Sequence, residues 1–146
     1  MIKMIDVGDK QNVKRVAIAV GEIRLKKTTL AAIKSRKILK GDVLVTAEVA
    51  ALQAIKKTWE ILPHCHHIPI TAAAVQSKQR RGSIKVTVTV EAIYKTGVEM
   101  EALHGVSVAL LTIWDMVKSL EKDKKGQYPT TEIGDIRIET KVRDVA

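Results

Sequence analysis

An acid and a base that could exchange protons lie close together near position 115 of this sequence. Asp115 and Lys118 are three residues apart, so on a helix their side chains would share one face. The ordinary interpretation is a surface ion pair, which contributes little to stability. Trp114 and the apolar residues around the pair indicate a drier setting. A lysine in such a setting loses its proton more readily and can act as an acid or a base.

Two carboxylates form a second group of candidates at the beginning of the same predicted helix. Glu99 and Glu101 follow the turn Lys95-Thr96-Gly97. The helix dipole favours carboxylates there and would account for either residue alone. It does not account for two carboxylates beside this turn and ahead of an apolar helix. Glu101 and Asp115 would lie about 21 Å apart along the helix. A site using both therefore needs an extended ligand or contacts between subunits.

The segment 63–67 contains three histidines and Cys65, the only cysteine. A metal site is one interpretation, but neighbouring residues of an extended chain point to opposite faces, and zinc sites normally use spaced pairs. The other interpretations are a polar loop with a buried thiol and phosphate contact by an imidazole donor. Phosphate contact agrees best with the basic charge of the chain, and we predict no metal here.

Charge and composition restrict the class of protein. The chain has 146 residues and a net charge of +9, which predicts either an anionic partner or simply a lysine-rich solvated surface. With two Trp, two Tyr and no Phe, it has few platforms for stacking single-stranded bases. A lone cysteine and a polar N-terminus, without an apolar signal or spanning segment, predict a cytoplasmic protein that contacts no membrane.

The spacing of apolar residues predicts the elements that must position these candidates. We expect a strand over 15–26, a short helix capped by Thr28 or Thr29 that runs to about Arg36, and a long helix from Asp42 to about Leu62. Extended segments follow over 67–78 and 83–94, then a helix over 98–121 and a last strand over 133–142. This order predicts an α+β fold in one domain, 1–146: a ferredoxin-like sheet with helices packed on one face.

Both long helices have apolar stripes that predict their partners. The stripe of the second long helix runs from Leu103 to Leu120. The first long helix has two apolar faces, one containing Ala47, Ala51 and Ala54 and the other containing Val45, Leu52 and Trp59. A helix on the solvent side of a monomer needs only one such face. The second face therefore predicts a further helix, for example from a second chain.

Five segments, in this order, carry a resemblance to a known family. In chain order they are 4–7, 40–44, 61–66, 96–103 and 114–118. The combination of 40–44, 61–66 and 96–103, in this order and at these separations, is specific. Together the segments resemble the cyclic pyranopterin monophosphate synthase (MoaC) family, and the resemblance extends from about Met4 to Lys122.

The resemblance implies a ferredoxin-like fold, a homohexamer built from dimers and an active site at the dimer interface. It implies a lyase that converts 3′,8-cyclo-7,8-dihydro-GTP, made by a radical enzyme, into cyclic pyranopterin monophosphate and pyrophosphate in molybdenum cofactor biosynthesis. The expected partner is thus a GTP-derived small molecule rather than nucleic acid. No cofactor is expected, although Mg²⁺ would suit the phosphates.

The resemblance also assigns roles to individual residues. Lys40, Asp115 and Lys118 match the catalytic positions, with the lysines as acid and base and Asp115 orienting Lys118. The positions that match substrate-binding residues are Arg15, Cys65, His66, Glu99, Met100 and Glu101. A guanidinium such as that of Arg15 suits triphosphate oxygens.

The sequence departs from the family pattern in two places. His67 stands where many relatives have proline, and the Gly-rich, lysine-containing tail of many relatives has no counterpart in 138–143. Lys141 or Arg143 is a candidate for the missing cation. Two alternatives stay open: a basic nucleic-acid-binding module, and an oligomer like this family that binds guanine nucleotides without catalysis.

Overall fold

Four strands and three helices make up the fold, in a computed structural model that describes residues 1–144. The strands are β1 (Val13–Arg24), β2 (Ile70–Arg80), β3 (Ser83–Tyr94) and β4 (Glu132–Asp144). The helices are α1 (Lys27–Lys34), α2 (Val43–Ile61) and α3 (Glu99–Glu121).

The strands form one sheet in the order β2-β3-β1-β4, and every neighbouring pair is antiparallel. β1 pairs with β3 along its whole length, from Val13 opposite Tyr94 to Arg24 opposite Ser83. This topology confirms the predicted α+β fold, a ferredoxin-like sheet with helices packed on one face.

β3 shows how the sheet acquires a covered and an open face. Ile84, Val86, Val88, Val90 and Ala92 are fully buried, and the residues between them are partly exposed. Successive side chains of a strand point to opposite faces, so the buried set faces the helices. The alternation predicted for this strand is confirmed.

α2 and α3 approach each other closely over the covered face because small residues line their contact. Ala47 and Ala51 of α2 are fully buried. At Gly105 of α3, a Cβ atom would lie 2.9 Å from Cγ1 of Ile55. By length and composition α3 could also span a membrane, but half of that stretch is buried here, as in the core helix of a globular fold.

The helix ends confirm one prediction and correct two. Asp42 caps α2, since its side chain accepts a hydrogen bond from the Val45 N–H at 3.1 Å. The predicted threonine cap of α1 is wrong, because Lys26 is the N-cap residue and the Thr29 hydroxyl donates to Glu121 instead. The stripe predicted to end at Leu120 is also wrong, because Leu120 is 44% exposed and Glu121 is buried.

The second apolar face of α2 stays largely exposed within residues 1–144, although Ile55 on it is buried and Trp59 stacks on His67. Val45, Val49, Leu52 and Trp59 are all exposed by 39% or more. Ala47, Ala51 and Ala54 of the first face pack in the core, whereas Ile61 at its end is exposed. Whether a second chain covers the exposed face stays a prediction.

Candidate functional site

Lys40, Asp115 and Lys118, together called the amine cluster, meet at the surface beside α3. Their side chains are 44–62% exposed, so the drier setting expected for Asp115 and Lys118 is wrong for the single chain. The Lys118 amine lies 3.0 Å from Oδ1 of Asp115, and the Lys40 amine lies 3.6 Å from the same oxygen. Lys40 also donates a hydrogen bond to the Asp115 backbone carbonyl at 2.8 Å. One carboxylate therefore holds two amines that come from different parts of the chain.

Local structure explains why these three side chains converge. Asp115 and Lys118 lie one turn apart on α3, as their spacing predicted. Lys40 comes from the segment between α1 and α2, just before Gly41, whose φ of 110° is a left-handed conformation that glycine adopts easily. Lys118, followed by Lys40, lowers the pKa of the Asp115 carboxyl group. Asp115 thus provides a stable negative charge between two cations.

Cys65, Glu99 and Glu101, together called the carboxylate cluster, lie at the other end of α3. Glu101 is 3% exposed, and its Oε1 has no hydrogen-bond partner among residues 1–144. The Cys65 thiol donates to Oε2 of Glu101 over 3.9 Å. A buried carboxyl oxygen without a protein partner is costly unless water or a ligand hydrogen-bonds to it.

Both titratable groups of this pair are shifted towards their neutral forms. Burial is the main cause that raises the pKa of Glu101, and the negative charge of Glu99 adds to it. Burial and then the charge of Glu101 raise the pKa of the Cys65 thiol. Both groups therefore lose their protons less readily than the same groups in water.

The remaining members of the predicted binding set surround this end of the helix. Met100 is 44% exposed on α3, between the two carboxylates in sequence. The Lys141 amine of β4 lies 3.4 Å from Oε1 of Glu99, which brings a cation to the carboxylate cluster. The role of Lys141 as the cation that replaces the missing lysine-containing tail stays a prediction, and so does the same role for Arg143.

The N-terminal segment crosses the same region and is attached at two points. Nε2 of His66 lies 2.7 Å from the Ile5 carbonyl oxygen. A carbonyl only accepts, so Nε2 carries the hydrogen, and in the neutral ring Nδ1 is left as an acceptor. Lys95 donates to the Gly8 carbonyl at 2.9 Å.

Arg15 is a buried arginine that holds the turn leading into α3. It is 6% exposed, and it donates to the carbonyl oxygens of Tyr94 at 3.4 Å and Lys95 at 3.1 Å. These bonds fix the strand end from which the carboxylate cluster follows. Contact between Arg15 and a phosphate stays a prediction.

One chain thus contains two separate halves of a site. The structure joins Lys40 to Asp115 and Lys118, and it joins Cys65 to Glu101, but α3 holds the two clusters about 21 Å apart. Within residues 1–144, no group of three His, Cys, Asp or Glu side chains is placed to hold a metal ion. The two halves offer two amines and a carboxylate at one end, and a buried carboxyl group with a half-buried thiol at the other.

Glu121 connects three elements by hydrogen bonds, and the sequence patterns did not predict this role. It is fully buried at the end of α3 and accepts hydrogen bonds from three donors. A signal was present, because Glu121 follows the buried Val117 by four residues and so continues the apolar stripe.

Comparison with known proteins gives concordant matches along almost the whole chain. Residues 4–143 match the MoaC family. A probable cyclic pyranopterin monophosphate synthase of Pyrococcus furiosus is 54% identical over 143 residues, which cover 98% of this chain and 92% of the relative. The corresponding protein of Thermococcus kodakarensis is 54% identical over 142 residues, which cover 97% of this chain and 91% of the relative.

A third relative has a different description at the same similarity. A probable cyclic pyranopterin monophosphate synthase accessory protein of Methanothermobacter thermautotrophicus is 54% identical over 137 residues, covering 94% of this chain and 86% of the relative. With the fold, the two clusters and a match over residues 4–143, these comparisons show that the chain belongs to the MoaC family.

Proposed function

We propose that this protein is a cyclic pyranopterin monophosphate synthase, a lyase of molybdenum cofactor biosynthesis. It converts 3′,8-cyclo-7,8-dihydro-GTP into cyclic pyranopterin monophosphate and releases pyrophosphate. The observation that carries the proposal is the amine cluster, in which Lys40 and Lys118 flank the single carboxylate of Asp115.

The amine cluster suits the proton transfers and the charge changes of this reaction. Opening and closing the rings requires one group that gives a proton and one that takes it, and two lysines on one carboxylate offer both. Forming the cyclic phosphate requires a sugar hydroxyl to attack the innermost phosphorus while pyrophosphate leaves. Cations near the departing oxygens lower the barrier of such a step.

The carboxylate cluster suits the other end of the substrate, its guanine-derived base. That base presents an N–H and an exocyclic amino group side by side, and both are donors. The unpartnered Oε1 of Glu101 is a buried acceptor of the kind that such donors would satisfy. Removing this carboxyl group should therefore weaken substrate binding more than it slows chemistry.

A complete site would then form between subunits. The two clusters are about 21 Å apart on α3, which exceeds the reach of most small-molecule contacts. The exposed apolar face of α2, from Val45 to Trp59, offers a surface for association. We expect a homohexamer built from dimers in which the amine cluster of one chain faces the carboxylate cluster of its partner.

The cellular setting follows from the same chemistry. The substrate is a polyanion of about four charges, so the net charge of +9 favours its capture, and Mg²⁺ would suit its phosphates. A radical enzyme would supply it upstream. The half-buried free thiol of Cys65 agrees with a reducing, cytoplasmic compartment, and we expect no contact with membranes or nucleic acid.

Purified protein incubated with 3′,8-cyclo-7,8-dihydro-GTP tests the proposal. We expect a pterin product and one pyrophosphate for each substrate consumed, measured by chromatography and a phosphate assay. Binding of the substrate without either product would contradict the proposal and favour a nucleotide-binding protein without catalysis.

A further inference from the structure

The buried carboxyl group of Glu121 joins three parts of the chain close to the amine cluster. Its Oε2 accepts hydrogen bonds from the Lys26 backbone N–H at 3.1 Å and from the Thr29 hydroxyl. Its Oε1 accepts from the Thr131 hydroxyl at 2.7 Å. All the donors lie outside α3, at the beginning of α1 and just before β4, so the group connects these elements to the end of α3.

For α1 this carboxyl group replaces a missing cap. The first N–H groups of a helix need acceptors from outside the helix, and a polar N-cap side chain normally supplies one. Lys26 is the N-cap residue and makes no such bond with its side chain. Glu121 instead accepts from the N–H of Lys26 itself and from the side-chain hydroxyl of Thr29 in the first turn, and a carboxylate is also favoured by the helix dipole there. The Lys26 amine adds a bond to the Leu120 carbonyl at 3.3 Å.

After α1 ends at Lys34, the chain continues to Lys40, whose side chain contacts α3. The Lys40 amine donates to the Asp115 carbonyl at 2.8 Å. Asp115 precedes Glu121 by six residues on α3, which places the two contacts about 9 Å apart along that helix. α1 and the segment after it are therefore attached to α3 at two points, one within the amine cluster at Asp115 and one just beyond it at Glu121.

We propose that Glu121 is a positioning residue, which caps α1 from the end of α3 and thereby places Lys40 against Asp115 and Lys118. This inference rests on the proposed function in so far as it concerns turnover. Displacing a catalytic group by about 1 Å can slow a reaction about 100-fold, so the loss of this cap should impair chemistry more than binding.

Three substitutions separate this role from general stability. In Glu121→Gln the amide oxygen can accept from Lys26 and Thr29, while the Thr131 hydroxyl turns to accept from the amide nitrogen. Glu121→Ala removes all of these contacts. Val88→Ala is the matched control, since Val88 is fully buried in the sheet and belongs to neither cluster.

Turnover per folded protein is the first measurement. We expect Glu121→Ala to lower kcat at least about 20-fold with KM changed less than about threefold. Glu121→Gln should stay within about threefold of wild type in kcat, and Val88→Ala within about twofold. An equal kcat loss in Val88→Ala, or a Gln variant as impaired as the Ala variant, would overturn the positioning role.

Competitive acetylation of lysines, read by mass spectrometry, tests the same inference without substrate. An amine released from its hydrogen bond and ion pair with Asp115 is more accessible to the reagent and reacts faster. In Glu121→Ala, labelling of Lys40 relative to the exposed Lys124 should rise at least about threefold, and in Glu121→Gln it should not. Thr29→Val should raise it in the same direction, and it carries the test if the Ala variant does not fold.

The two measurements distinguish the two proposals. A wild-type protein without turnover would refute the proposed function, while the labelling of Lys40 would still decide whether Glu121 positions it. Unchanged Lys40 labelling in every folded variant that lacks the cap would overturn the positioning role even if the protein is an active synthase.

Discussion

Lys40 donates a hydrogen bond to the backbone carbonyl of Asp115 at 2.8 Å, although 75 residues separate them in sequence. The same amine lies 3.6 Å from the Asp115 carboxylate, so Lys40 contacts both the backbone and the side chain of one residue. Because this contact joins a loop to the last third of α3, the geometry of the amine cluster depends on tertiary packing rather than on local sequence.

Removing either lysine of the amine cluster should abolish most turnover without unfolding the protein. Lys40→Ala and Lys118→Ala should each lower kcat about 100-fold or more, the usual contribution of a proton-transferring group. Both side chains are more than two-fifths exposed, so the free energy of unfolding should change by less than about 1 kcal/mol. Steady-state kinetics and urea unfolding measure the two effects. Lys124→Ala, an exposed lysine after α3, is the control, and wild-type rates in both cluster variants would refute the assigned roles.

Glu101 should make stability fall as pH rises through the acidic range. Its pKa is raised in the folded state above the ordinary value of 4.5, so the unfolded chain ionises first. Stability is therefore greatest below that value, where both states hold the proton, and is lost as pH rises towards the folded pKa.

Urea unfolding of Glu101→Gln at pH 4 and pH 7.5 measures this loss. The free energy of unfolding of the variant, minus that of wild type, should be larger at the higher pH because the amide never ionises. Glu60→Gln, at an exposed position of α2, should show no such rise. A difference for Glu101→Gln that does not change with pH would show that burial does not raise the pKa of this group.

Cys65 should react slowly with iodoacetamide for its degree of exposure. Burial and the charge of Glu101 raise the pKa of its thiol above 9.0, and only the thiolate is alkylated. At pH 8 the rate should be below that of a short cysteine peptide. Glu101→Gln should increase the rate because it removes the negative charge, whereas Glu60→Gln should leave it unchanged. If Glu101→Gln reacts at the wild-type rate, the charge of Glu101 does not raise the pKa of the Cys65 thiol.

Two glycines in neighbouring strands should respond oppositely to alanine. A Cβ atom at Gly21 would lie 2.7 Å from Cγ1 of Val106 and 2.9 Å from Cδ1 of Leu110, so β1 could no longer approach α3 as closely. Gly21→Ala should cost about 1–3 kcal/mol in the free energy of unfolding. Among residues 1–144, nothing lies within 4 Å of the equivalent atom at Gly134, so Gly134→Ala should be neutral or slightly stabilising. Equal stabilities in urea would contradict the close packing of α3 on β1.

Periodicity was sufficient to predict the elements whose contacts are local. β3 has the boundaries predicted for it, since its alternating residues satisfy one buried face, and Asp42 caps α2 as its position indicated. β2 begins at Ile70 rather than at 67, directly after Pro69, which has no N–H to donate to a sheet. The cap of α1 was predicted wrongly because its acceptor, Glu121, comes from the other end of the chain.

Only those contacts of the candidate site that are local in sequence were predictable. The contact between Asp115 and Lys118 was predictable from their spacing, because residues three apart on a helix lie on the same face. Neither the approach of Lys40 nor the burial of Glu101 has a local pattern. The first follows from the path of the segment after α1, and the second from the packing of the Cys65 segment against α3.

The attachment of the N-terminal segment has a consequence for its sequence. His66 and Lys95 hydrogen-bond to the backbone carbonyl oxygens of Ile5 and Gly8. Every residue type has such a carbonyl. The side chain at position 5 can therefore change while the path of the segment is kept, whereas at Gly8 a Cβ atom would lie 3.0 Å from Oδ1 of Asp6. A deletion that shifts the carbonyls out of register would release the segment, whereas a change of side chain at position 5 would not.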